Sequence, residues 1–457
     1  MAELNATFEN TLNRLLEEKK YTSIKDILML MDSTDLAAIF ELIDEKNIPL
    51  VFRLLPKAVA ADTFVEMDPD YQELLIKSFS DAELKDILDE MYVNEAVDLV
   101  EEMPAIVVQR ILSQVDAAKR KDINQILQYP ENSAGSIMTT EYVSLRLGTT
   151  VGEAIKQIRK TGVEKKSFYA CYVTKNRKLI GRLSVKDLLL AKSDDILIDD
   201  LMKTNVLSVH THDDQEEVSK LLSKYNFFAI PVVDTEERMV GIIAFDDALD
   251  VMEEEATEDM EIMAGMAPSD KTYLHSSPFY LFKHRIFWLM LLMISATFTG
   301  MIITSFESAL AVQVVLTAFI PMLMDTGGNS GSQSSVTVIR SISLGELEFS
   351  DLPKVIFKEI QTALMCGLVL AAVCFIKVML VDRILLGNTD VTVAVAAVVC
   401  ITMMATVLVA KVIGCILPLC AKKMGFDPAV MASPFITTTV DALSLLVYFS
   451  IAKVLLF

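Results

Sequence analysis

The chain has 457 residues, of which 52% are hydrophobic; its mean hydropathy is +0.42, yet its formal net charge is −21. The two properties separate along the chain: residues 276–457 carry 10 acidic and 11 basic side chains, so residues 1–275 hold a net charge of −22. An acidic body joined to a neutral apolar one excludes a small secreted domain, a disordered chain and a nucleic-acid binder, which would need a basic face.

Residues 1–130 read as an acidic all-α domain. Met1–Lys20 is amphipathic and of mixed charge, with no basic start leading into an apolar core, so no signal peptide is expected and the acidic body is placed in the cytosol. Every twelfth position from Met31 is apolar: Ile43, Leu55, Met67, Phe79, Met91, Met103, Val115 and Leu127 follow. Acidic residues or proline often come next, as in Met67-Asp68-Pro69 and Met103-Pro104. Short helices, each capped and then turned, would stack into a superhelix with this period.

Residues 131–250 hold a longer repeat. Ile137-Met138-Thr139-Thr140 matches Leu201-Met202-Lys203-Thr204, and Leu179-Ile180-Gly181-Arg182-Leu183 matches Met239-Val240-Gly241-Ile242-Ile243. Each copy predicts strand, helix, strand, a glycine-containing turn, strand and helix. The pair resembles tandem cystathionine-β-synthase-type (CBS) modules, over 131–197 and 198–250. That resemblance implies a regulatory unit of α/β fold.

Residues 251–275 continue an acidic run from Phe245 that contains no helix breaker. Its carboxylates at 247, 250, 254, 258 and 261 share one helical face, where like charges repel unless a cation neutralises them.

Residues 276–457 contain five stretches able to cross a bilayer: Ile286–Phe306, Ala309–Ile339, Ile360–Val381, Val391–Cys420 and Pro428–Phe457. Lys283, Arg285, Arg340, Lys354, Lys358, Lys422 and Lys423 gather in the connectors of one side. The positive-inside bias makes that side cytosolic, and five spans then leave the C-terminus outside. The second stretch is unusual. Asp325-Thr326-Gly327-Gly328-Asn329-Ser330-Gly331-Ser332-Gln333 puts glycines and oxygen-bearing side chains where lipid would tolerate few. In the last stretch Asp427 precedes Pro428 at the mouth, and Ser433, Thr437, Asp441, Ser444 and Tyr448 fall on one helical face. An ionisable residue mid-membrane such as Asp441 marks a functional site. No basic residue is an obvious partner for it, although Lys411 is a conceivable one.

The six cysteines form no CxxC pair, and five of them lie in the apolar half, as packing residues would. The chain has no HExxH, GxSxG or Walker A sequence, and His210 and His212 read as surface residues, so no enzyme is expected. Three rival readings remain: a CBS-regulated anion channel, an intramembrane aspartyl enzyme using Asp325 and Asp441, and a Na⁺- or H⁺-coupled carrier of divalent cations.

The Asp325–Gln333 run, the Asp427-Pro428-Ala429 to Asp441 run and the five-span tail together resemble the MgtE family of magnesium channels and transporters. The CBS pair and the acidic N-terminal block match it too. The resemblance implies a homodimer in the cell membrane, with the pore on its two-fold axis and Asp441 binding hydrated Mg²⁺ there, flanked by Asn329, Ser433 and Thr437. It also implies that the acidic connector is a plug helix. Asp427 at the inner mouth and Asp98, Glu216, Asp247, Asp250, Glu255, Glu258 and Asp259 would hold regulatory Mg²⁺. ATP is a candidate ligand of the CBS pair, with Tyr172 and Phe227 as candidate contacts. Asn94 and Asn226 stand where the family pattern favours Asp, which puts regulatory sites built there in question.

Overall fold

The computed structural model describes residues 11–457, apart from 163–165, 270–272, 275, 308–310, 312 and 457, and apart from the side chain of Ser433. It divides into two compact units, Met1–Glu253 and Glu254–Phe457.

The first unit begins with α1 (Tyr21–Leu28), α2 (Ser33–Phe40), α3 (Ile48–Phe52), α4 (Lys57–Val65), α5 (Pro69–Ser78), α6 (Asp81–Glu90), α7 (Val93–Glu102), α8 (Ala105–Gln114) and α9 (Ala117–Ile126). From α4 onward the helices start twelve residues apart, which is the period of the sequence repeat. The repeated apolar residue is the C-cap. Phe79, Met91, Met103 and Val115 each leave the helix in extended conformation and bury their side chains. Several of the helices then start on a side-chain cap. Asp68 accepts from the Asp70 amide, Ser80 and Glu83 form a reciprocal capping box, and Asp116 accepts from Ala118 and Lys119. Helices two apart in sequence pack together, α4 on α6, α6 on α8 and α7 on α9, as in a superhelix.

Basic side chains reach back to the exposed carbonyls at helix ends: Arg110 donates to Ile76 and Phe79, and Lys119 to Leu88 and Met91. Arg53 Nε donates to Glu83 Oε1 at 2.7 Å and, with the Ser80 amide, holds that carboxyl down at about 2. A carboxyl whose folded pKa is depressed stabilises the fold above its ordinary value of 4.5 and loses that effect as pH falls through about 2. The melting temperature of the first unfolding transition should therefore be lower in Glu83→Gln than in the parent above pH 4.5. The gap should close as pH approaches 2.

The CBS pair follows: β1 (Tyr142–Arg146), α10 (Val151–Thr161), β2 (Ser167–Lys175), β3 (Lys178–Ser184), α11 (Val185–Leu189), β4 (Val209–His210), α12 (Gln215–Tyr225), β5 (Ala229–Val233) and β6 (Met239–Ala244). Each module is a three-stranded sheet with one parallel and one antiparallel pairing. The expected turn between the second and third strand of the first copy holds no glycine. Gly181 and Gly241 lie inside β3 and β6, where a Cβ would meet Met202 Sδ at 2.5 Å and Met138 Sδ at 2.8 Å. The turn into β3 is made by Asn176 and Arg177, both at positive φ. Because Met138 opens the first copy and Met202 the second, each copy's opening segment packs on the other copy's sheet. Thr139 pairs with Ile242, and Arg182 with Lys203. The two modules are therefore interlocked rather than strung in series.

The acidic run is one helix, α13 (Phe245–Met263). The second unit continues with α14 (Pro278–Ser305), α15 (Ile320–Ser343), α16 (Leu352–Ile376, prolonged by a wider turn over Lys377–Leu385), α17 (Val393–Lys423) and α18 (Ser433–Leu456). Four helical stretches in the described residues are long and apolar enough to cross a membrane: Pro278–Ser305, Phe349–Leu385, Val393–Lys423 and Pro428–Leu456. The fifth expected span corresponds to α15, whose polar residues keep it out of that group. Helix α17 is the hub. It packs on α15, α16 and α18, while α14 rests on α18 and buries none of its own residues.

Candidate functional site

The site is assembled where α15, α17 and α18 meet. Side chains would hold these helices about 8–10 Å apart, and glycine allows them closer. A Cβ on Gly327 would stand 2.6 Å from Thr406 and 3.0 Å from Ser444; one on Gly328 would stand 2.9 Å from Thr437. One on Gly331 would stand 2.7 Å from Ile436, and one on Gly414 would overlap the Gly331 carbonyl oxygen. The Asp325–Ser335 run thus stays helical rather than breaking. Its glycines bring Thr437 and Ser444 of α18 against the α15 backbone.

The predicted face of α18 turns inward. Ser444 and Tyr448 are buried, and the Tyr448 hydroxyl donates to the Leu316 carbonyl at 3.0 Å. About one turn before Ser444, half-buried Asp441 holds Oδ1 enclosed by protein with no hydrogen-bond partner. Lys411 does not pair with it. Its ammonium donates to Ser334 Oγ at 3.3 Å and lies 4.0 Å from Glu359 of α16, while Ser334 donates to Glu359 at 2.6 Å. Asp325 accepts from Asn329 Nδ2 at 3.2 Å. The backbone of Ser433 opens α18, but its side chain lies outside the described residues.

The other face of α15 carries a polar stripe. Asp325, Asn329, Gln333 and Thr337 recur at every fourth residue and are all exposed, while the glycines of the same helix face α17 and α18. At the chain's bend into α18, exposed Asp427 accepts from the Ala429 amide at 2.7 Å.

Sequence reasoning missed Glu359 because the apolar stretch was read as starting at Ile360. The residue one position before that boundary is the counter-ion of the buried lysine. Glu359→Gln leaves Lys411 enclosed with no anion and should cost about 2–3 kcal/mol, most of it regained in Glu359→Gln/Lys411→Met. Denaturant unfolding of the purified protein in detergent measures both.

The residues assigned to regulation are scattered. Asp98 and Asp250 are exposed, Glu216 pairs with Lys220 four residues on at 2.5 Å, and Asp259 accepts from Ser343 at 3.4 Å. Glu255 and Glu258 are half-buried on α13. Among the described residues no three acidic, His or Cys side chains gather at metal-binding spacing. Asp247 faces Asn94 and Lys166; burial would lower the Lys166 ammonium, but Asp247, Glu95 and Asp246 raise it above its ordinary value. Asn226 is the left-handed C-cap of α12 at φ +51°, a conformation Asn accepts readily. Tyr172 is fully buried with its hydroxyl on the Ala229 carbonyl, which leaves no face for a nucleotide. The Phe227 ring is covered by the Arg182 guanidinium at 4.3 Å.

Family comparisons agree with this architecture. Residues 5–132 match the MgtE intracellular N domain, residues 134–194 and 198–254 match CBS domains, and residues 320–451 match the MgtE divalent cation transporter family. The chain is 33% identical to the magnesium transporter MgtE of Thermus thermophilus and 32% identical to that of Bacillus subtilis, each over 98% of both chains. A crystal structure of the cytosolic domain of the Mg²⁺ channel MgtE in complex with ATP superposes with a TM-score of 0.51 at 32% identity. It covers 53% of this chain and 99% of its own. With full-length relatives and every module matched in order, the chain belongs to the MgtE family of divalent cation transporters rather than to any class of enzyme.

Proposed function

We propose that the chain is a passive, Mg²⁺-selective channel in the cell membrane. The observation that carries this is the enclosed, unpartnered Oδ1 of Asp441, the single acidic residue in the α18 sequence. Such an oxygen is costly unless a cation visits it. Mg²⁺ is small, keeps its waters and prefers octahedral oxygen, so one carboxylate together with the oxygens of Thr437 and Asn329 can hold the hydrated ion without stripping it. A bundle of five spans, α14 to α18, with cytosolic N-terminal domains and the C-terminus outside, accommodates this path. The exposed polar stripe of α15 and the unburied helix α14 support a homodimer with the pore on its axis, since a second copy would cover both. The alternative of an anion channel loses ground because Lys411, the one basic side chain buried among the described residues of this unit, is matched by Glu359.

Intracellular Mg²⁺ is proposed to close the route. Glu216, Asp250, Glu255, Glu258, Asp259 and Asp427 supply the surplus negative charge, and α13 acts as the plug. When Mg²⁺ is scarce these carboxylates repel; when it is abundant it favours the compact, closed arrangement, as linkage requires. An adenine nucleotide at the CBS pair would use the edge at Phe227 and Arg182, not Tyr172.

Uptake into liposomes containing the purified chain tests the class of transport. Mg²⁺ should enter down its own gradient with no Na⁺ or proton gradient present. Uptake that needs either gradient would make the protein a coupled carrier instead.

A further inference from the structure

Asp247 is assigned to regulatory Mg²⁺ by family resemblance, yet one of its oxygens is already held by a cation of the chain itself. The ammonium of Lys166 lies 3.2 Å from Asp247 Oδ1, 3.2 Å from Asp246 Oδ2 and 3.3 Å from Glu95 Oε1. The same oxygen of Asp247 accepts from Asn94 Nδ2 at 3.0 Å. Both partners of Asp247 are therefore proton donors. Mg²⁺ would need oxygen ligands at about 2.0–2.1 Å.

The cluster ties together three separate pieces of the first unit. Asn94 and Glu95 come from α7, Lys166 immediately precedes β2 of the first CBS module, and Asp246 and Asp247 open α13. The lysine side chain is only 10% exposed, and its ammonium also sits 5.2 Å above the Tyr92 ring. Asp247 Oδ2 and Asn94 Oδ1 are enclosed and make no hydrogen bond, while the Asp246 carboxylate at the edge of the clasp is 65% exposed. The Asn at position 94 now has a physical reason. Next to a built-in cation, a fourth carboxylate is not needed, and an amide can donate to Asp247 where an aspartate would repel it.

We propose that Lys166 is an internal cation that takes the place of a divalent ion at the junction between the N-terminal domain and the CBS pair. The clasp is then closed at every Mg²⁺ concentration, and Mg²⁺ sensing in this chain falls to the carboxylates outside it. Only this regulatory consequence rests on the reading of the chain as a Mg²⁺-gated channel; the clasp itself does not.

Hydrogen exchange of the α7 amides in the full-length protein in detergent, with EDTA or with MgCl₂, tests the proposal without measuring transport. In the parent protein the protection of α7 should be the same in both conditions. In Lys166→Met the three carboxylates lose their cation. The α7 amides should exchange at least about tenfold faster in EDTA than the parent and regain protection when Mg²⁺ is added. Lys166→Arg keeps the charge and should behave as the parent, which separates loss of charge from loss of fold. Protection of α7 that depends on Mg²⁺ in the parent, or a Lys166→Met variant as protected in EDTA as the parent, would overturn the proposal. Transport failing while these patterns hold would count against the channel reading alone.

Discussion

Asp441→Asn is expected to lower Mg²⁺ uptake into liposomes by roughly a hundredfold while leaving the protein folded. The substitution keeps the shape of the side chain and removes one negative charge. At a separation of about 4–5 Å and an effective dielectric of about 20–40, the attraction of one carboxylate for a divalent ion is worth about 3–8 kcal/mol. A hydrated ion and competing water reduce this, and about 3 kcal/mol corresponds to a hundredfold change in occupancy. Asp441→Glu keeps the charge and should retain a measurable rate. The melting temperature separates a functional residue from a structural one. Asp441 Oδ1 makes no hydrogen bond, so neutralising it should leave the melting temperature unchanged or raise it. A residue that held the bundle together would lower it.

The second large effect is expected from Gly414→Ala. A methyl group at that position runs into the backbone of α15 at Gly331, and backbone cannot rotate away as a side chain can. Helices α15 and α17 would have to separate, at a cost of about 3 kcal/mol or more. Because Gly331 also packs on Ile436 and Val440, the shift is passed to α18 and hence to Asp441. Thermal unfolding in detergent should fall by several degrees, and uptake should fall with it. Gly300 provides the contrast. It lies in α14 with nothing within 4 Å of its would-be Cβ, so Gly300→Ala should be neutral or slightly stabilising. Equal damage from the two substitutions would mean that close helix approach is not what the Gly414 position requires.

Much of this was legible in the residues. The twelve-residue apolar period marked the helices of the N-terminal domain, because a short capped helix and its turn repeat with that length and bury the C-cap. The 60–64-residue repeat marked the two CBS sheets, but not their interlock. Packing of Met138 on Gly241 and Met202 on Gly181 is a contact between distant segments that no local period encodes. In the apolar half, the carboxylate of Asp441 stood out because charge is rare there. Its isolation did not, since that depends on which partner Lys411 chooses across helices, and Glu359 lay just outside the apolar run. The polar stretch of α15 was visible as composition. That it forms an unbroken helix, with glycines on one face and Asp325, Asn329 and Gln333 on the other, follows only once α17 and α18 are packed against it. Lys166 was missed because a single lysine among many gives no signal. It matters through three carboxylates drawn from two other segments.

The central claim is that Mg²⁺ itself carries charge passively through this protein, and the reversal potential in a planar bilayer tests it most directly. With a tenfold Mg²⁺ gradient and otherwise identical solutions, the current should reverse about 30 mV from zero, toward the equilibrium potential of a divalent cation. A reversal potential that ignores the Mg²⁺ gradient, or that follows an imposed Na⁺ or proton gradient, would contradict the account.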